Sequence, residues 1–271
     1  MGHLNREITE LMRNNWPGST VRAVIALEET LDGDSELAAQ FDPVVESYAE
    51  KRELSLGEAL NKVQKICDLR GLNRLSYELL LIVNSLPALH RRYLERGIPD
   101  SIFYASMDDI RCKVAECVEC KGVAGTFVAG WYDGFFELNR FAYGRFQYEL
   151  ARYDEQKEIA FSCGKTLKPG DFFLNFHIPS SGVPITDDGR LASYREAYPH
   201  FAGMAEDGIV IFGCYSWLLD PAHRVFLPDQ MNIRRFMDDF EIIKGIPLAE
   251  FEDKWRVFGR CYEYPAEQLP R

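Results

Sequence analysis

One segment, residues 172–204, constrains the fold of this chain more than any other. Its first part, residues 172–178, is rich in aromatic residues and stops at Pro179, which is typical of a strand. The next part, residues 180–189, is dense in Ser, Gly, Pro and Asp and predicts a loop. A helix is expected after the loop, so the segment predicts a βα unit within a sheet.

The start of this helix is a candidate site for an anion. Thr186 or Asp187 can cap it, because either side chain can accept a hydrogen bond from a backbone N–H of the first turn. The helix dipole and the N–H groups of the loop favour negative charge at this junction. Four residues have the spacing of one helical face, namely Leu191, Tyr194, Ala197 and Tyr198.

Residues 1–120 are predicted to form a helical domain without chemistry of its own. Apolar residues with helical spacing predict a helix over residues 54–70 and a more buried one over residues 75–94. Pro87 should kink the second helix or split it in two.

Residues 121–271 are predicted to form a second domain built on a mixed sheet. Alternation predicts a long strand over residues 140–153, and the apolar run 209–219 predicts another. A helix is expected over residues 231–240, and further strand or turn material over residues 255–264. Strands interleaved with helices indicate a mixed α/β sheet, so the fold class is α+β with a helical N-terminal domain.

Composition narrows the range of partners. The net charge is −11, from 31 Lys and Arg against 42 Asp and Glu, and no basic face stands out, which excludes nucleic acid and an anionic membrane as expected partners. The chain begins without an apolar signal region, and its apolar runs are far too short to span a bilayer, so a cytoplasmic protein is expected. Seven cysteines, an odd number, favour reduced thiols over a disulfide framework.

His177 is the leading candidate for chemistry. It lies at the end of a predicted strand, where βα units place reactive groups, and it shares a strand face with Phe173 and Asn175. An imidazole at this position can act as a general base near neutral pH. The alternative is a histidine whose ring makes a structural hydrogen bond to neighbouring backbone, and the sequence does not decide between the two.

Glu149 is a candidate partner or substitute for His177. Alternation places five residues on one face of the predicted 140–153 strand, namely Phe141, Tyr143, Arg145, Gln147 and Glu149. An exposed sheet face would give the same polar pattern, although it would not favour the two aromatic residues. If this strand pairs with residues 172–178, Glu149 or Gln147 lies opposite Asn175 or His177 and can orient the imidazole.

Ser216 is a third candidate. It lies in the closing part of the strand predicted over residues 209–219, and if that strand runs parallel to the one that ends at His177, Ser216 or Tyr215 emerges at the same sheet edge and can donate to a reacting group. A hydrolase that uses His177 with Ser216 or Cys214 is a weaker option, because no Gly-x-Ser-x-Gly elbow surrounds Ser216.

Three cysteines, Cys112, Cys117 and Cys120, have the Cys-x4-Cys-x2-Cys spacing of plant-type iron–sulfur ferredoxins. Residues 107–120 are, however, predicted to form a helix that begins at an aspartate, and they lack the glycines of a loop that wraps a cluster. We therefore expect reduced thiols on a helix and no metal site.

Several segments together resemble one family and span the chain from about residue 50 to residue 240. They are, in chain order, residues 86–90, 93–99, Tyr-Gly-Arg-Phe-Gln-Tyr-Glu at 143–149, His-Ile-Pro at 177–179 with the loop at 180–184, 193–201, Ser-Trp-Leu-Leu-Asp-Pro at 216–221, and 232–240. They are similar to the bacterial acyltransferase-domain proteins that pair a helical N-acyltransferase N-terminal domain with a GNAT-like C-terminal domain.

The resemblance implies a GNAT-like sheet in which residues 172–178 bind the pantetheine arm of an acyl-CoA and the following loop and helix hold the pyrophosphate. GNAT enzymes usually carry an Arg/Gln-x-x-Gly-x-Gly/Ala loop here, and residues 180–184 differ from it. The residues expected to contact the co-substrate are Ile178, Ser180, Ser181, Gly182 and Gly189.

The resemblance also implies an acyl-CoA-dependent N-acyltransferase that uses acetyl-CoA or another acyl-CoA. His177, or Glu149 in its place, would be the base, Ser216 a donor, and strand-end N–H groups would hold the oxyanion. The acceptor would be a small-molecule amine or a peptide, and homo-oligomer formation stays open. The alternative function is a non-catalytic GNAT-like module that binds a ligand or peptide.

Overall fold

The computed structural model describes residues 4–13, 16–204 and 208–245 and divides the chain into two compact units between Leu138 and Asn139. The described residues of the first unit form helices and no strand. Its α-helices are α1 (Arg6–Arg13), α2 (Gly18–Asp32), α3 (Ser35–Val45), α4 (Leu56–Arg70), α5 (Arg74–Asn84), α6 (Leu86–Glu95), α7 (Asp100–Met107), α8 (Asp109–Lys121) and α9 (Asp133–Phe136).

Local sequence explains where these helices begin and end. Ser55 and Glu58 form a capping box at the start of α4, where the side chain of each accepts a hydrogen bond from the backbone N–H of the other. Gly71 ends α4 in the left-handed conformation with φ 66°. Pro87 lies in the first turn of α6, so the apolar run forms two helices. Both helices predicted here, and the split at Pro87, are confirmed.

Helix α8 carries the clustered cysteines, as predicted. Cys112, Cys117 and Cys120 form no disulfide, and burial raises the pKa of Cys112 to about 12, so its thiol stays protonated. Among residues 4–13, 16–204 and 208–245, no group of three or more His, Cys, Asp or Glu side chains is placed to hold a metal ion.

The helical unit continues beyond the change in composition at Lys121. After α8 the chain forms a 3-10 helix, Ala129–Tyr132, and then α9, whose aromatic side chains are buried with the helices. The rings of Tyr48 and Phe136 have centroids 5.3 Å apart. Tyr132, Phe135 and Phe136 therefore belong to the core of the helical unit.

The second unit is built on a four-stranded mixed sheet. The described elements of this unit are β1 (Arg140–Tyr143), β2 (Phe146–Arg152), β3 (Ile159–Ala160), β4 (Thr166–Leu167), β5 (Phe172–His177), α10 (Asp187–Phe201), β6 (Phe212–Gly213), α11 (His223–Phe226) and α12 (Asn232–Met237). The strand order in the sheet is β1-β2-β5-β6, with β3 and β4 as a separate pair. β5 pairs antiparallel with β2 and parallel with β6. The α+β fold class and the interior position of the strand predicted over residues 172–178 are confirmed.

The single strand predicted over residues 140–153 is wrong, because β1 and β2 form a hairpin. Tyr143 lies opposite Phe146, so Gly144 and Arg145 make a two-residue turn. Gly144 has φ 58°, a conformation that the first position of such a turn requires and that glycine adopts without steric cost.

The turn changes which side chains share a face of the sheet. Phe141 and Tyr143 lie on the face opposite to Gln147 and Glu149, so the prediction that these four residues share one face is wrong. Arg140 instead lies beside Glu149. One face of the hairpin is therefore aromatic and the other polar.

The aromatic face packs against α10 and α12 and forms the core of this unit. Ring centroids are 5.7 Å apart for Phe146 and Tyr194, and 6.0 Å apart for Phe176 and Phe236. Burial of such large side chains is the main source of stability for a sheet covered by helices.

Helix α10 begins at the predicted cap, but its buried face differs from the prediction. Leu191 and Tyr198 are 40% and 42% exposed, whereas Arg190 and Ser193 are buried. Arg190 is buried because its guanidinium pairs with Asp239, with Nε 2.6 Å from Oδ2. Spacing of apolar residues alone misses a buried face that is held by polar contacts.

The remaining expectations for the second unit have mixed outcomes. The strand expected over residues 209–219 is β6, which is two residues long and runs parallel to β5. The helix expected over residues 231–240 is α12. The strand or turn material expected over residues 255–264 lies outside the described residues. Within the described part of the chain, no helix has both the length and the apolar character that crossing a bilayer requires.

Candidate active site

Five polar side chains lie on the face of the sheet opposite its aromatic core, namely Arg140, Gln147, Glu149, Asn175 and His177. The register of β2 and β5 places Gln147 opposite His177 and Glu149 opposite Asn175. Side chains that face each other across paired strands are close enough to interact. The strand pairing that the sequence left conditional is therefore present in the structure.

Glu149 lies at the centre of this group. His177 Nε2 and Arg140 Nη2 each lie 2.9 Å from Glu149 Oε2. Burial acts to raise the pKa of Glu149, but the hydrogen bonds and charges of His177 and Arg140 outweigh burial and bring the pKa to about 2. Glu149 is therefore ionised at neutral pH.

An ionised Glu149 determines the tautomer of His177. A carboxylate can only accept hydrogen bonds, so Nε2 carries the hydrogen and the neutral ring has its lone pair on Nδ1. The amide nitrogen of Asn175 is placed 3.4 Å from Nε2. Because a protonated Nε2 cannot accept, we assign the amide oxygen of Asn175 to this position instead. An imidazole oriented by a carboxylate is the arrangement of a general base.

The parallel strands beside this group, β5 and β6, stop pairing before β5 ends. Their pairing stops at Asn175 opposite Gly213, whereas β2 stays paired with β5 as far as His177. The chain beyond β6 forms the 3-10 helix Trp217–Leu219. Among the described residues, no strand pairs with β5 on this side beyond Asn175, and a strand edge of this kind can present backbone N–H and C=O groups to an extended ligand. We call this end of the β5–β6 pair the notch.

The loop after β5 is held by Arg145 from the hairpin turn. Arg145 Nε donates to the carbonyl oxygen of Val183 at 2.9 Å, and Nη1 donates to that of Pro179 at 3.1 Å. Within the loop, Gly182 has φ 79°, and Ser181 Oγ accepts from Val183 N–H at 3.3 Å. A guanidinium charge therefore lies beside the loop.

The first turn of α10 is capped and its acidic charge is compensated. Thr186 Oγ1 accepts from the N–H of Gly189 at 3.2 Å. The Asp187 carboxylate pairs with Arg190 and with Arg235 Nη1, the latter at 2.5 Å. These hydrogen bonds, first from Arg190 and then from Arg235, hold the pKa of Asp187 below its usual range. The negative charge of Asp187 is thus compensated by the charges of Arg190 and Arg235.

Both units match models of known domain families. Residues 7–138 match the N-acyltransferase N-terminal domain, and residues 141–271 match the GNAT-like C-terminal domain. The chain belongs to the proteins that join these two domains. The resemblance found in the sequence is confirmed, and the two models divide the chain where its two compact units divide.

Solved acyltransferase structures have the fold of this protein. One, an acyltransferase in complex with decanoyl-CoA and teicoplanin, is 19% identical, with 98% of this chain and 80% of that chain covered at a TM-score of 0.65. Another, in complex with CoA and 10C-Teicoplanin, has the same identity and coverage at a TM-score of 0.67. A third, in complex with decanoyl-CoA, is 25% identical, with 72% of this chain and 57% of that chain covered at a TM-score of 0.56. No curated protein sequence matches this chain significantly.

The structure separates the other candidates in the GNAT-like domain by their surroundings. Ser216 caps the 3-10 helix after β6, with Oγ accepting from Leu218 N–H at 3.2 Å. Burial raises the pKa of Cys214 to about 12, which keeps it a neutral thiol and a weak nucleophile, and this disfavours a hydrolase built on Cys214. Ser180 and Gly182 are exposed on the loop.

Two residues of this region, Arg140 and Arg145, were not identified as site residues from the sequence. Both depend on the hairpin, because the turn places Arg140 beside Glu149 and aims Arg145 at the loop. The available signal was Gly144, since a glycine followed by one residue between two aromatic strands is typical of a two-residue turn.

Proposed function

We propose that this protein is an acyl-CoA-dependent N-acyltransferase. The observation that carries the proposal is the Glu149–His177 contact of 2.9 Å at the end of β5, beside the notch, in a GNAT-like domain. A base at the end of the strand and an open strand edge next to it are what transfer from a bound thioester to an amine requires.

Acyl-CoA would supply an activated thioester carbonyl, and the notch and the loop after β5 have the chemistry to hold it. The backbone groups of β5 beyond Asn175 suit the amide-bearing pantetheine arm. The loop offers N–H groups and the nearby charge of Arg145 for phosphate, with Ile178, Ser180, Ser181 and Gly182 as its contacts. Gly189 would contribute by keeping the first turn of α10 free of a side chain, while its N–H donates to the capping oxygen of Thr186.

His177 would act as the general base. Its imidazole would take a proton from the attacking amine, and the adjacent Glu149 carboxylate would stabilise the imidazolium that forms. As the C–N bond forms, N–H groups between His177 and Ser180 would stabilise the negative charge on the carbonyl oxygen. When the C–S bond breaks, the imidazolium would return its proton to the leaving sulfur, so that an amide and free CoA result.

Ser216 would serve as an additional donor. Its Oγ accepts one hydrogen bond from Leu218, and the hydroxyl still has its own hydrogen to donate. The segment of Ser216 follows β6, the strand that borders the notch.

The acceptor is proposed to be an amine on a small molecule or a peptide. Two of the solved acyltransferases that share this fold are described with teicoplanin or its 10C form, which makes a glycopeptide a rational first member of an acceptor screen. Decanoyl-CoA and octanoyl-CoA, with which other such structures are described, are the first donors to test.

Replacing the proposed base tests this function. His177→Ala should lower the rate of CoA release from an acyl-CoA in the presence of an amine by roughly a hundredfold, the usual contribution of a general base. CoA affinity should change little, because the phosphates would be held by the loop. The measurement is thiol release under saturating donor, together with calorimetric titration of CoA.

His200→Ala is the matched control. His200 stacks on Tyr143 with ring centroids 4.5 Å apart and so lies with the aromatic face of the sheet. This variant should keep wild-type turnover. A second variant, Gly182→Leu, should have the opposite effect to His177→Ala, because it should weaken the binding of CoA and leave the base, His177, unchanged. Equal turnover in His177→Ala and the wild type would remove His177 as the base. No thermal shift of the wild type with saturating acyl-CoA, together with no measurable acyl transfer, would leave the non-catalytic binding module.

A further inference from the structure

Arg145 links the β1–β2 hairpin to the loop that follows β5. Its Nε donates to the carbonyl oxygen of Val183 at 2.9 Å and its Nη1 to that of Pro179 at 3.1 Å, so one guanidinium joins two points of the loop formed by residues 178–186. The planar guanidinium presents its donors in a fixed fork, whereas a lysine ammonium is a single flexible point of charge. The loop conformation is therefore tied to the position of Arg145.

The position of Arg145 is in turn fixed by α10. Ser193 Oγ lies 2.5 Å from the carbonyl oxygen of Tyr143 and accepts from Phe146 N–H at 3.3 Å, so it holds both sides of the turn. A Cβ added to Gly144 would lie 3.0 Å from Ser193 Cα, which shows how closely the turn approaches the helix. The helix, the turn and the loop thus form one connected structure.

The two hydrogen bonds from Arg145 to the loop, which we call the clamp, also orient the N–H groups of the loop. In a planar trans peptide the C=O and N–H point in opposite directions. Because the carbonyl of Pro179 points to Arg145, the N–H of Ser180 points to the other side of the loop. Residues 178–186 contain no Lys or Arg, so the loop itself contributes no basic side chain. Arg145 brings a positive charge to the loop from another strand.

We propose that Arg145 is the positioning residue for the pyrophosphate of acyl-CoA, because it holds the carbonyls of Pro179 and Val183 so that the N–H groups of residues 180–182 face the phosphates. The inference rests on the proposed function. It makes a pyrophosphate-bearing thioester, rather than a simple pantetheine thioester, the donor that the site selects.

A ligand series tests the inference. CoA, dephospho-CoA and pantetheine share the thiol arm, but dephospho-CoA lacks the 3′-phosphate and pantetheine lacks every phosphate. Arg145→Gln should bind CoA and dephospho-CoA roughly tenfold more weakly than the wild type, the scale of lost hydrogen bonds to a charged group, with unchanged affinity for pantetheine. Arg145→Lys should show most of the same loss of affinity for CoA and dephospho-CoA, because lysine keeps the charge but lacks the forked donors of the guanidinium. Affinities are read by calorimetric titration.

Arg152→Gln is the matched control, since it removes the same charge from the other end of β2, where the guanidinium lies 4.6 Å from the centroid of the Phe172 ring. It should bind all three ligands as the wild type does. Three results would each overturn the inference while the proposed function stands. The first is an equal loss of affinity for all three ligands in Arg145→Gln, and the second is a loss of affinity for CoA alone. The third is wild-type affinity for all three ligands in Arg145→Lys. A wild-type protein that does not bind CoA would overturn both.

Discussion

At the scale of single residues, one half-buried and one buried carboxylate show that the partners of a carboxylate decide its charge. Glu149 accepts from His177 and Arg140, and these contacts overcome burial and bring its pKa to about 2. Glu28 on α2 is 5% exposed and accepts from Asn84 Nδ2 at 3.0 Å. Burial raises the pKa of Glu28 to about 7, since the neutral amide of Asn84 offsets little of it and Asp32 adds to it.

The raised pKa of Glu28 makes the stability of the helical unit depend on pH. The group contributes stability that is fully present below its ordinary pKa of 4.5 and is lost as pH rises through about 7. Glu28→Gln keeps an oxygen for Asn84 and removes the charge. The difference in free energy of unfolding between Glu28→Gln and the wild type should therefore shift in favour of the variant by roughly 3 kcal/mol from pH 5 to pH 8. Thermal unfolding of both proteins at the two pH values measures this gain.

Glu29→Gln is the control for Glu28→Gln, since it removes the same charge from the exposed neighbouring position. Its melting temperature should follow that of the wild type at both pH values. A difference between Glu28→Gln and the wild type that is the same at pH 5 and pH 8 would contradict the assignment of a raised pKa.

At the scale of elements, the hairpin and α10 are joined through one glycine. Gly144 combines φ 58° with a Cβ position 3.0 Å from Ser193 Cα, so a side chain there meets both backbone strain and a close contact. Ser193 Oγ also contacts Tyr148 Oη at 2.8 Å, which extends the link into β2. This junction determines where Arg145 can lie.

Gly144→Ala should therefore destabilise the GNAT-like domain more than backbone strain alone does. Gly170→Ala is the matched comparison, because Gly170 has φ 93° and no atom within 4 Å of an added Cβ. Strain should cost Gly170→Ala about 1 kcal/mol, and Gly144→Ala about 2 kcal/mol or more. Urea unfolding of the two variants gives both values, and equal losses would show that the contact with Ser193 contributes nothing.

At the scale of the whole molecule, most features that depend on residues close in sequence are predicted, and the turn at Gly144 is the exception. Helix caps, the split at Pro87 and the strand over residues 172–178 depend on residues close in sequence, and the structure confirms them. The conditional prediction that Glu149 or Gln147 lies opposite Asn175 or His177 is also confirmed, since Gln147 lies opposite His177 and Glu149 opposite Asn175.

Apart from the turn at Gly144, the features that the sequence did not predict depend on residues far apart in the chain. The buried face of α10 is held by Arg190, whose partner Asp239 is 49 positions away. Arg145 acts on a loop 34 to 38 positions further along. Polar contacts of this kind leave no periodic pattern, so a reading of apolar spacing does not detect them.

Binding of CoA to the wild-type protein tests the central claim most directly. Calorimetric titration with CoA should show saturable binding near one equivalent per chain, and saturating CoA should raise the melting temperature, with a stabilisation of about 2.7 kcal/mol when the ligand is at 100 times its Kd. If neither CoA nor decanoyl-CoA at millimolar concentration gives a heat of binding or changes the melting temperature, the proposal of an acyl-CoA-dependent acyltransferase is contradicted.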